Sequence, residues 1–371
     1  MNPFAYGTIV TASQFYDRKE ECVKLIDTLS GGNNMILYAP RRFGKTSLVF
    51  RVIEQLENQG FLCIYFDFMP VFSLESFVRL YTKAISKKIT NPNAFVRNVM
   101  STIKSIRPIL SFGQDGNPEF SMDFANTDID ETVISELLDL PEKLAGKNKR
   151  VIVFFDEFQE VEKLKKIKLE ALLRSKMQQQ QRTKYLFFGS KTHLLSEMFN
   201  DKKRAFYNSA LQMTIGSLPK GDSIRFIQSN FSASNISIDD ETSEYLIHTA
   251  ANIPHYIQLL SSEVWQKAVN SIPVVKKELI DECAKNVVFH KSDYYMELYD
   301  RQSQSRKQLL RALTVEGANV FSSAYIKKYR LPVAATLQRA VKELVNDGII
   351  EKTDDRYYIS DPFFKSFVAH Y

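Results

Sequence analysis

The chain has 371 residues, enough for two or three domains, and its 44% hydrophobic and 25% charged residues are typical of folded globular proteins. The formal net charge of +6 is too small to indicate a polyanionic partner by itself. No stretch approaches the ~20 apolar residues of a membrane-spanning helix, the first residues lack a signal-peptide pattern, and the three cysteines are far apart. We therefore expect a cytoplasmic protein without a membrane partner.

Short apolar runs alternate with helical patterns through the first half of the chain. Strands are predicted at Met35–Tyr38, Leu62–Asp67, Val151–Phe155, Tyr185–Gly189 and Met213–Ile215. Helices are predicted at Lys45–Gln59, Leu74–Thr90 and Lys163–Gln180. Continuous apolar strands that alternate with helices are typical of a parallel sheet covered on both faces. The pattern predicts an α/β domain over residues 1–218.

A different pattern interrupts this domain at about residues 105–125. Two short apolar segments, Ile109–Phe112 and Glu119–Met122, flank a turn at Gln114–Asn117 that contains an Asp-Gly pair. Asp-Gly pairs favour the tight turns of β-hairpins. We therefore predict a β-hairpin insertion in the α/β domain.

The pattern becomes purely helical after Pro219 and changes again near Asp300. A helical domain is predicted over 219–298, with helices at Asp222–Asn230, Asp239–Thr249, Pro254–Val269 and Lys276–His290. In the last domain, over 299–371, three helices precede two strands. These elements are Gln302–Leu313, Ser323–Lys328, Val333–Asn346, Gly348–Lys352 and Arg356–Ser360. Short helices followed by a hairpin are the signature of a winged helix-turn-helix.

The loop after the first strand carries the first chemical motif. Its residues are Ala39, Pro40, Arg41, Arg42, Phe43, Gly44, Lys45, Thr46 and Ser47. They fit the phosphate-binding spacing G-x-x-x-x-G-K-[ST], except that Ala39 replaces the first glycine. Backbone amides at the helix start would surround phosphates, Lys45 would neutralise the β and γ oxygens, and Thr46 would ligate Mg²⁺. The alternative, a chance Gly-Lys-Thr, is disfavoured by the strand–loop–helix context.

A second motif ends the strand at Val151–Phe155. Asp156 and Glu157 follow it and place two carboxylates at the carboxyl edge of the sheet, where α/β proteins bind ligands. Asp156 would hold Mg²⁺ through water, and Glu157 would orient or deprotonate the attacking water. Ser190 follows the next strand, where its hydroxyl could touch the γ-phosphate or the water, or could simply cap a helix. Together the motifs predict ATP or ADP binding with Mg²⁺.

These residues resemble the AAA+-like P-loop ATPases of the STAND class, specifically the archaeal and bacterial ATPase family with a C-terminal winged helix. The resemblance covers nearly the whole chain. It is carried by the segments 15–21, 41–48 (Walker A), 155–160 (Walker B), 188–190 and 252–258. It implies that Phe15 and Arg18 lie near the adenine, that Ser190 is sensor 1, and that Pro254 lies beside the nucleotide. Ala251 and Asn252 stand where the family usually has glycine, and Arg204 is a weak candidate for an arginine finger.

The winged helix is predicted to be a lid or partner surface more readily than a DNA reader. The chain from Asp300 onward carries 12 Lys and Arg against 8 Asp and Glu. Leu337, Val341, Leu344 and Val345 should face the core. The outward residues of the same helix would then be Thr336, Gln338, Arg339 and Lys342, with Arg356 on the wing. Glu343 and Asp347 on that helix weaken the case for DNA.

The leading functional prediction is a Mg-dependent ATPase that turns over slowly and acts as a nucleotide-driven conformational switch, with an oligomer as one option. The alternative is a DNA-binding regulator that binds ATP as a ligand without significant turnover. A phosphotransferase that acts on a small acceptor fits less well, because the adjacent Asp156 and Glu157 suit the activation of water.

Overall fold

The computed structural model describes residues 2–4, 6–7, 18–88, 107–112, 118–123, 129–145, 149–353 and 356–371. The chain divides into two compact units. The α/β unit contains Arg18–Pro40 and Leu48–Ile215, and the C-terminal unit contains Arg41–Ser47 and Gly216–Tyr371 together with the described residues 2–4 and 6–7. The residues of the phosphate-binding loop from Arg41 onward thus group with the C-terminal part of the chain.

Seven strands lie in the described residues of the first part of the chain. They are β1 (Met35–Tyr38), β2 (Leu62–Asp67), β3 (Arg107–Phe112), β4 (Pro118–Asp123), β5 (Val151–Asp156), β6 (Thr183–Gly189) and β7 (Leu211–Thr214). Five of them form one parallel sheet in the order β2-β5-β6-β1-β7. Every residue of β1 and of β5 is buried, as continuous apolar strands require. The predicted α/β fold with a parallel sheet is confirmed.

Among the described residues, six α-helices and one 3₁₀ helix accompany these strands. The α-helices are α1 (Lys19–Ser30), α2 (Lys45–Asn58), α3 (Leu74–Ser86), α4 (Glu131–Ala145), α5 (Leu169–Gln179) and α6 (Thr192–Asn200). The core between these helices and the sheet is rich in aromatic rings, with Phe155 stacked on Tyr185 and on Phe158. The two remaining strands, β3 and β4, form an antiparallel pair. The turn predicted at Gln114–Asn117 falls at 113–117, outside the described residues.

Two helix predictions are wrong at their ends. The helix predicted over Lys163–Gln180 begins only at Leu169, because Phe158–Lys163 form the 3₁₀ helix and the buried Leu164 leaves helical geometry with φ −85° and ψ 65°. The lysine-rich segment between these two elements carries like charges that oppose a continuous helix. Helix α3 ends at Ser86 within the described residues, whereas the prediction extended it to Thr90, which lies outside them.

The described residues of the C-terminal unit form nine further helices and one hairpin. The helices are α7 (Lys220–Ser232), α8 (Asp240–Thr249), α9 (Pro254–Ala268), α10 (Lys277–His290), α11 (Ser292–Asp300), α12 (Gln304–Val315), α13 (Ser323–Lys328), α14 (Ala334–Asn346) and α15 (Pro362–His370). The hairpin pairs β8 (Ile350–Thr353) with β9 (Arg356–Ile359). Helices α12 to α14 and the hairpin confirm the predicted winged helix. Leu337, Val341 and Leu344 are buried as predicted, and Val345 is half-buried.

Helices α11 and α15 were not predicted. Helix α15 has a clear start, because Pro362 is its first residue and the side chain of Asp361 accepts hydrogen bonds from the amides of Phe363 and Phe364. Its apolar face joins the core of the C-terminal unit. No helix in the described part of the chain is long and apolar enough to cross a membrane.

Candidate functional site

The carboxyl ends of three neighbouring strands define one edge of the parallel sheet. Tyr38 at the end of β1 pairs with Gly189 at the end of β6, and Phe155 in β5 pairs with Phe187 in β6. Pro40 therefore follows β1, Ser190 follows β6, and the Asp-Glu pair ends β5 at the same edge. Within the α/β unit, the sheet register thus places Asp156, Glu157 and Ser190, which come from two strands, at one edge of the sheet.

Asp156 is held by two hydrogen bonds at this edge. Asp156 is 6% exposed. Its Oδ2 accepts a hydrogen bond from the hydroxyl of Tyr65 at 2.7 Å, and its Oδ1 accepts one from the amide of Glu157 at 2.8 Å. Burial and the neighbouring Asp156 carboxylate raise the pKa of Tyr65, so its hydroxyl stays a donor. Tyr65 lies on β2, which pairs with β5 in register.

Glu157 is oriented by a left-handed backbone turn and by three donors. Its φ and ψ of 48° and 42° begin the 3₁₀ helix. Its Oε2 accepts from the hydroxyl of Ser190 at 2.9 Å, from the amide of Ser190 at 3.1 Å and from Nε2 of Gln159 at 2.5 Å. Hydrogen bonds of this kind favour the charged carboxylate and fix its direction. The N-cap residue of helix α6 is Lys191, so the hydroxyl of Ser190 serves Glu157 instead of capping that helix.

Gln159 and Tyr65 have contacts that the sequence reasoning did not assign. Gln159 is 2% exposed and packs so closely on β6 that a Cβ on Gly189 would lie 2.0 Å from its Oε1. In the sequence, the feature that points to Gln159 is its position two residues after Glu157. The feature that points to Tyr65 is its position on β2, the strand that pairs with β5. Neither signal is specific without the sheet register.

The loop that the sequence predicts to bind phosphate contains two residues with positive φ. Gly44 has φ 81° and Arg42 has φ 71°, both left-handed, and helix α2 begins directly afterwards at Lys45. Apart from its chain neighbours, no atom lies within 4 Å of a Cβ placed on Gly44, but the positive φ itself favours glycine at this position. Phe43 is 7% exposed and belongs to the core of the C-terminal unit, whereas Thr46 is half-buried and Ser47 buried.

The segment before Pro254 keeps an unusual backbone. Ala251 and Asn252 have φ values of 53° and 54°, so both adopt the left-handed conformation that glycine would adopt readily. Pro254 then starts helix α9, and the amide of His255 donates to the carbonyl of Arg42 at 3.3 Å. Within the C-terminal unit, Pro254 and the loop are therefore close in space, although 200 residues separate them.

Of the two residues predicted to lie near the adenine, Arg18 and Phe15, the described part of the chain contains only Arg18. Arg18 belongs to the α/β unit, is 3% exposed, has φ 66° and pairs with Glu21 at 3.1 Å at the start of helix α1. Phe15 lies outside the described residues.

Arg204, the candidate arginine finger, is held by Glu162 and Glu170 at 2.7 and 2.6 Å. Its guanidinium is thus engaged inside the α/β unit.

Comparisons with known proteins agree with this architecture. Residues 15–187 match the family described as "ATPase domain predominantly from Archaea", and residues 293–370 match "Probable winged helix domain". An uncharacterized ATP-binding protein of Methanocaldococcus jannaschii is 26% identical over 167 residues, which cover 42% of this chain and 46% of the relative. The match thus spans less than half the length of that relative.

Solved structures share the fold. The Walker-type ATPase Paby2304 of Pyrococcus abyssi superposes with a TM-score of 0.69 at 19% identity and covers 99% of both chains. The Aeropyrum pernix ORC2 protein, solved in ADPNP-ADP complexes, gives a TM-score of 0.59 at 13% identity and covers 99% of this chain and 96% of its own. Residues 15–187 are thus similar to an archaeal ATPase domain and residues 293–370 to a winged helix domain, as the predicted resemblance implied.

Proposed function

We propose that this chain, an archaeal-type ATPase domain joined to a winged helix domain, binds Mg·ATP, hydrolyses it slowly to ADP and phosphate, and acts as a nucleotide-driven switch of the STAND class. The observation that carries the proposal is the pair of adjacent carboxylates at the carboxyl edge of the sheet. Asp156 is buried and hydrogen-bonded, and Glu157 is oriented by Ser190 and Gln159. Such a pair suits metal binding together with the activation of water.

The phosphate-binding loop supports the nucleotide part of the proposal. Its amides precede a helix N-terminus, where anions are stabilised, and Lys45 supplies a positive charge. Gly44 has the positive φ that glycine adopts without strain. In this proposal Arg18, Phe15 and Pro254 contact the nucleotide around its base, and Pro40, Arg41, Arg42, Phe43 and Ser47 shape the phosphate cradle.

The donor set fits Mg²⁺. In the described part of the chain no three carboxylate, histidine or cysteine side chains cluster as a metal site. Mg²⁺ needs no such cage, because it is held by one or two protein oxygens together with phosphates and water. Thr46 and Asp156 would hold it, and the bound ion would supply neutralisation of charge on the phosphates.

The protein's own residues then divide the work of hydrolysis. Lys45 holds the phosphates, Glu157 accepts a proton from the attacking water, and Ser190 keeps the carboxylate of Glu157 in place. An arginine supplied to the transition state accelerates this chemistry by about 10³ to 10⁵. Arg204 is paired with Glu162 and Glu170 instead, which supports slow turnover.

Phosphate release from Mg·ATP tests the proposal, measured for wild type and Lys45→Ala with and without duplex DNA. Activity that Lys45→Ala abolishes would support the ATPase. Turnover that persists in Lys45→Ala would contradict it.

The alternative, a DNA-binding regulator that binds ATP without turnover, has one observation in its favour. Thr336, Gln338, Arg339 and Lys342 are exposed on helix α14, as a recognition helix would require. The Aeropyrum pernix ORC1 protein, solved in complex with DNA, shares the fold with a TM-score of 0.50. However, Arg339 pairs with Glu343 at 2.9 Å, which lowers its availability to phosphates. Loss of DNA retention at low salt in Arg339→Glu would support this alternative, and no DNA binding by wild type would exclude it.

The domain boundaries are part of the proposal. We divide the chain into an ATPase domain over 1–218, a helical lid over 219–298 and a winged helix over 299–371. Arg41–Ser47 group with the C-terminal unit, and Arg42 contacts both His255 of the lid and Asp361 of the winged helix. In this proposal, phosphate bound at the loop changes these contacts and so changes the position of the lid and the winged helix. A cytoplasmic location completes the proposal, with an oligomer as one option.

A further inference from the structure

A carboxylate of the winged helix domain contacts the phosphate-binding loop. Oδ2 of Asp361 lies 3.3 Å from Nη1 of Arg42, and the Arg42 guanidinium also lies over the ring of Tyr256 at 4.9 Å from its centroid. The Asp361 side chain is 11% exposed, whereas that of Arg42 is 40% exposed. The carboxylate is thus fixed in the protein, while the cation remains accessible to a solute such as phosphate.

Asp361 is held in position independently of Arg42. It caps helix α15 through the amides of Phe363 and Phe364 at 2.9 and 3.2 Å, and it accepts from the buried hydroxyl of Tyr295 at 3.1 Å. These neutral donors anchor its carboxylate, and the added ion pair uses its remaining acceptor capacity. Lys291 adds a second cation that faces the same carboxylate.

A second winged-helix carboxylate, Glu351 on β8, reaches the neighbouring loop residue. It accepts from the backbone amide of Arg41, and its Oε2 accepts from the hydroxyl of Tyr358 at 2.8 Å. The Arg41 guanidinium lies against Gly348, where a Cβ would come within 2.5 Å of Nη1. Gly348 therefore serves both its left-handed turn, at φ 71°, and the close approach of Arg41. We refer to Asp361 and Glu351 as the loop clamp.

Phosphate and the loop clamp require the same donors. A triphosphate at this loop needs amides and cationic side chains, and a carboxylate beside it is repelled by the like charge. Occupation of Arg42 by Asp361 and of the Arg41 amide by Glu351 therefore has to be given up or weakened as phosphate binds. By linkage, if the clamp weakens nucleotide binding, nucleotide weakens the clamp by the same factor.

We propose that Asp361 and Glu351 make the winged helix an internal competitor of the nucleotide's phosphates, so that nucleotide binding loosens helix α15 and strand β8 from the phosphate-binding loop. This inference deepens the proposed function and rests on its ATP-binding step. It assigns Asp361 and Glu351 as positioning residues. It also gives the direction of the coupling, because the nucleotide-bound state favours the winged helix released from the phosphate-binding loop.

The first test measures Mg·ATP affinity by titration calorimetry. Asp361→Asn removes the charge that faces Arg42 but keeps a good helix cap, since Asn and Asp cap about equally well. The expected result is tighter binding, by about fivefold or more, the lower end of usual coupling between sites. Asp239→Asn is the matched control, because Asp239 caps helix α8 in the same unit through the amide of Thr242. The Mg·ATP affinity of this variant should equal that of wild type. Loss of structure does not produce tighter binding, so unchanged or weaker binding in Asp361→Asn overturns the proposal.

The second test needs no nucleotide and measures hydrogen exchange of the amides in helix α15. Arg42→Gln removes the cation from the loop side, and exchange over residues 362–370 should become faster than in wild type. Addition of Mg·ATP to wild type should also accelerate this exchange. Unchanged exchange in Arg42→Gln shows that the loop does not restrain the winged helix and overturns the proposal. If no variant binds ATP but exchange still responds to Arg42→Gln, the proposed function fails while the restraint stands.

Discussion

The hydroxyl of Ser190 donates to Oε2 of Glu157 at 2.9 Å, and the amide of Ser190 donates to the same oxygen at 3.1 Å. One residue at the end of β6 thus orients the carboxylate at the end of β5. This relationship follows from the parallel pairing of the two strands, which puts their carboxyl ends side by side. It gives a residue proposed as a phosphate sensor direct contact with the residue proposed to activate water.

Ser190→Ala should reduce turnover more than nucleotide affinity. Without the hydroxyl, the Glu157 carboxylate keeps the hydrogen bonds from the Ser190 amide and from Nε2 of Gln159 but loses the one from the Ser190 side chain, so its direction is less well fixed. We expect kcat to fall about tenfold, a fraction of the 10² to 10⁴ attributed to a complete general base, with Mg·ATP affinity within about twofold. Ser190→Thr retains a hydroxyl and should keep most of the activity. Equal turnover in wild type and Ser190→Ala would show that this hydrogen bond does not contribute.

Gly189→Ala should disturb the same site through packing. Its Cβ would lie 2.0 Å from Oε1 of Gln159, so Gln159 must move and its hydrogen bond to Glu157 must weaken. We expect a loss of about 1 to 3 kcal/mol in the free energy of unfolding, the usual cost of overpacking, together with reduced turnover. Gly216→Ala is the control, because nothing lies within 4 Å of its Cβ. Urea unfolding measures both variants, and equal stability would refute the packing argument.

The folded protein should lose stability at mildly acidic pH because of His255. Burial, together with the nearby cations Arg42 and Lys291, lowers the pKa of His255 from 6.5 to about 4, and Asp361 acts in the opposite direction. The unfolded chain therefore binds more protons than the folded one between these values. The stabilisation is fully present above about pH 6.5 and is lost as the pH falls through about 4.

Thermal unfolding from pH 7 to pH 4 measures this effect, and His255→Gln is the comparison. Other groups titrate in both proteins, so the difference between the two curves isolates His255. Wild type should lose about 2 kcal/mol more than His255→Gln over this range, at ~1.4 kcal/mol for each pKa unit and with a discount for partial exposure. Parallel curves would contradict a neutral His255.

Much of the fold is predictable from local pattern, because buried parallel strands are continuous apolar runs. Strands β1 and β2 have the predicted ends. Helix α15 was missed although Asp361 and Pro362 together are a helix-start signal. Its nine residues form too short a pattern to stand out, and no local feature reveals that Asp361 also meets Arg42, 319 positions away.

The candidate site likewise has a part that local sequence predicts and a part that depends on long-range contacts. The loop at Lys45 and the carboxylates of Asp156 and Glu157 have local sequence signatures. The contacts of Glu157 with Ser190 and Gln159 depend on sheet register and on a 3₁₀ turn, neither of which the sequence specifies locally. The left-handed Ala251 and Asn252 are a further case, because non-glycine residues hide a backbone conformation that glycine would signal.

The most direct test of the account is phosphate release by Glu157→Gln under single-turnover conditions, with Mg·ATP binding measured on the same sample. The substitution keeps the size of the side chain and removes the base. The account predicts binding close to that of wild type and hydrolysis slowed at least about 100-fold, the lower bound for the loss of a general base. Hydrolysis at the wild-type rate would contradict the role assigned to Glu157 and, with it, the assignment of the catalytic site.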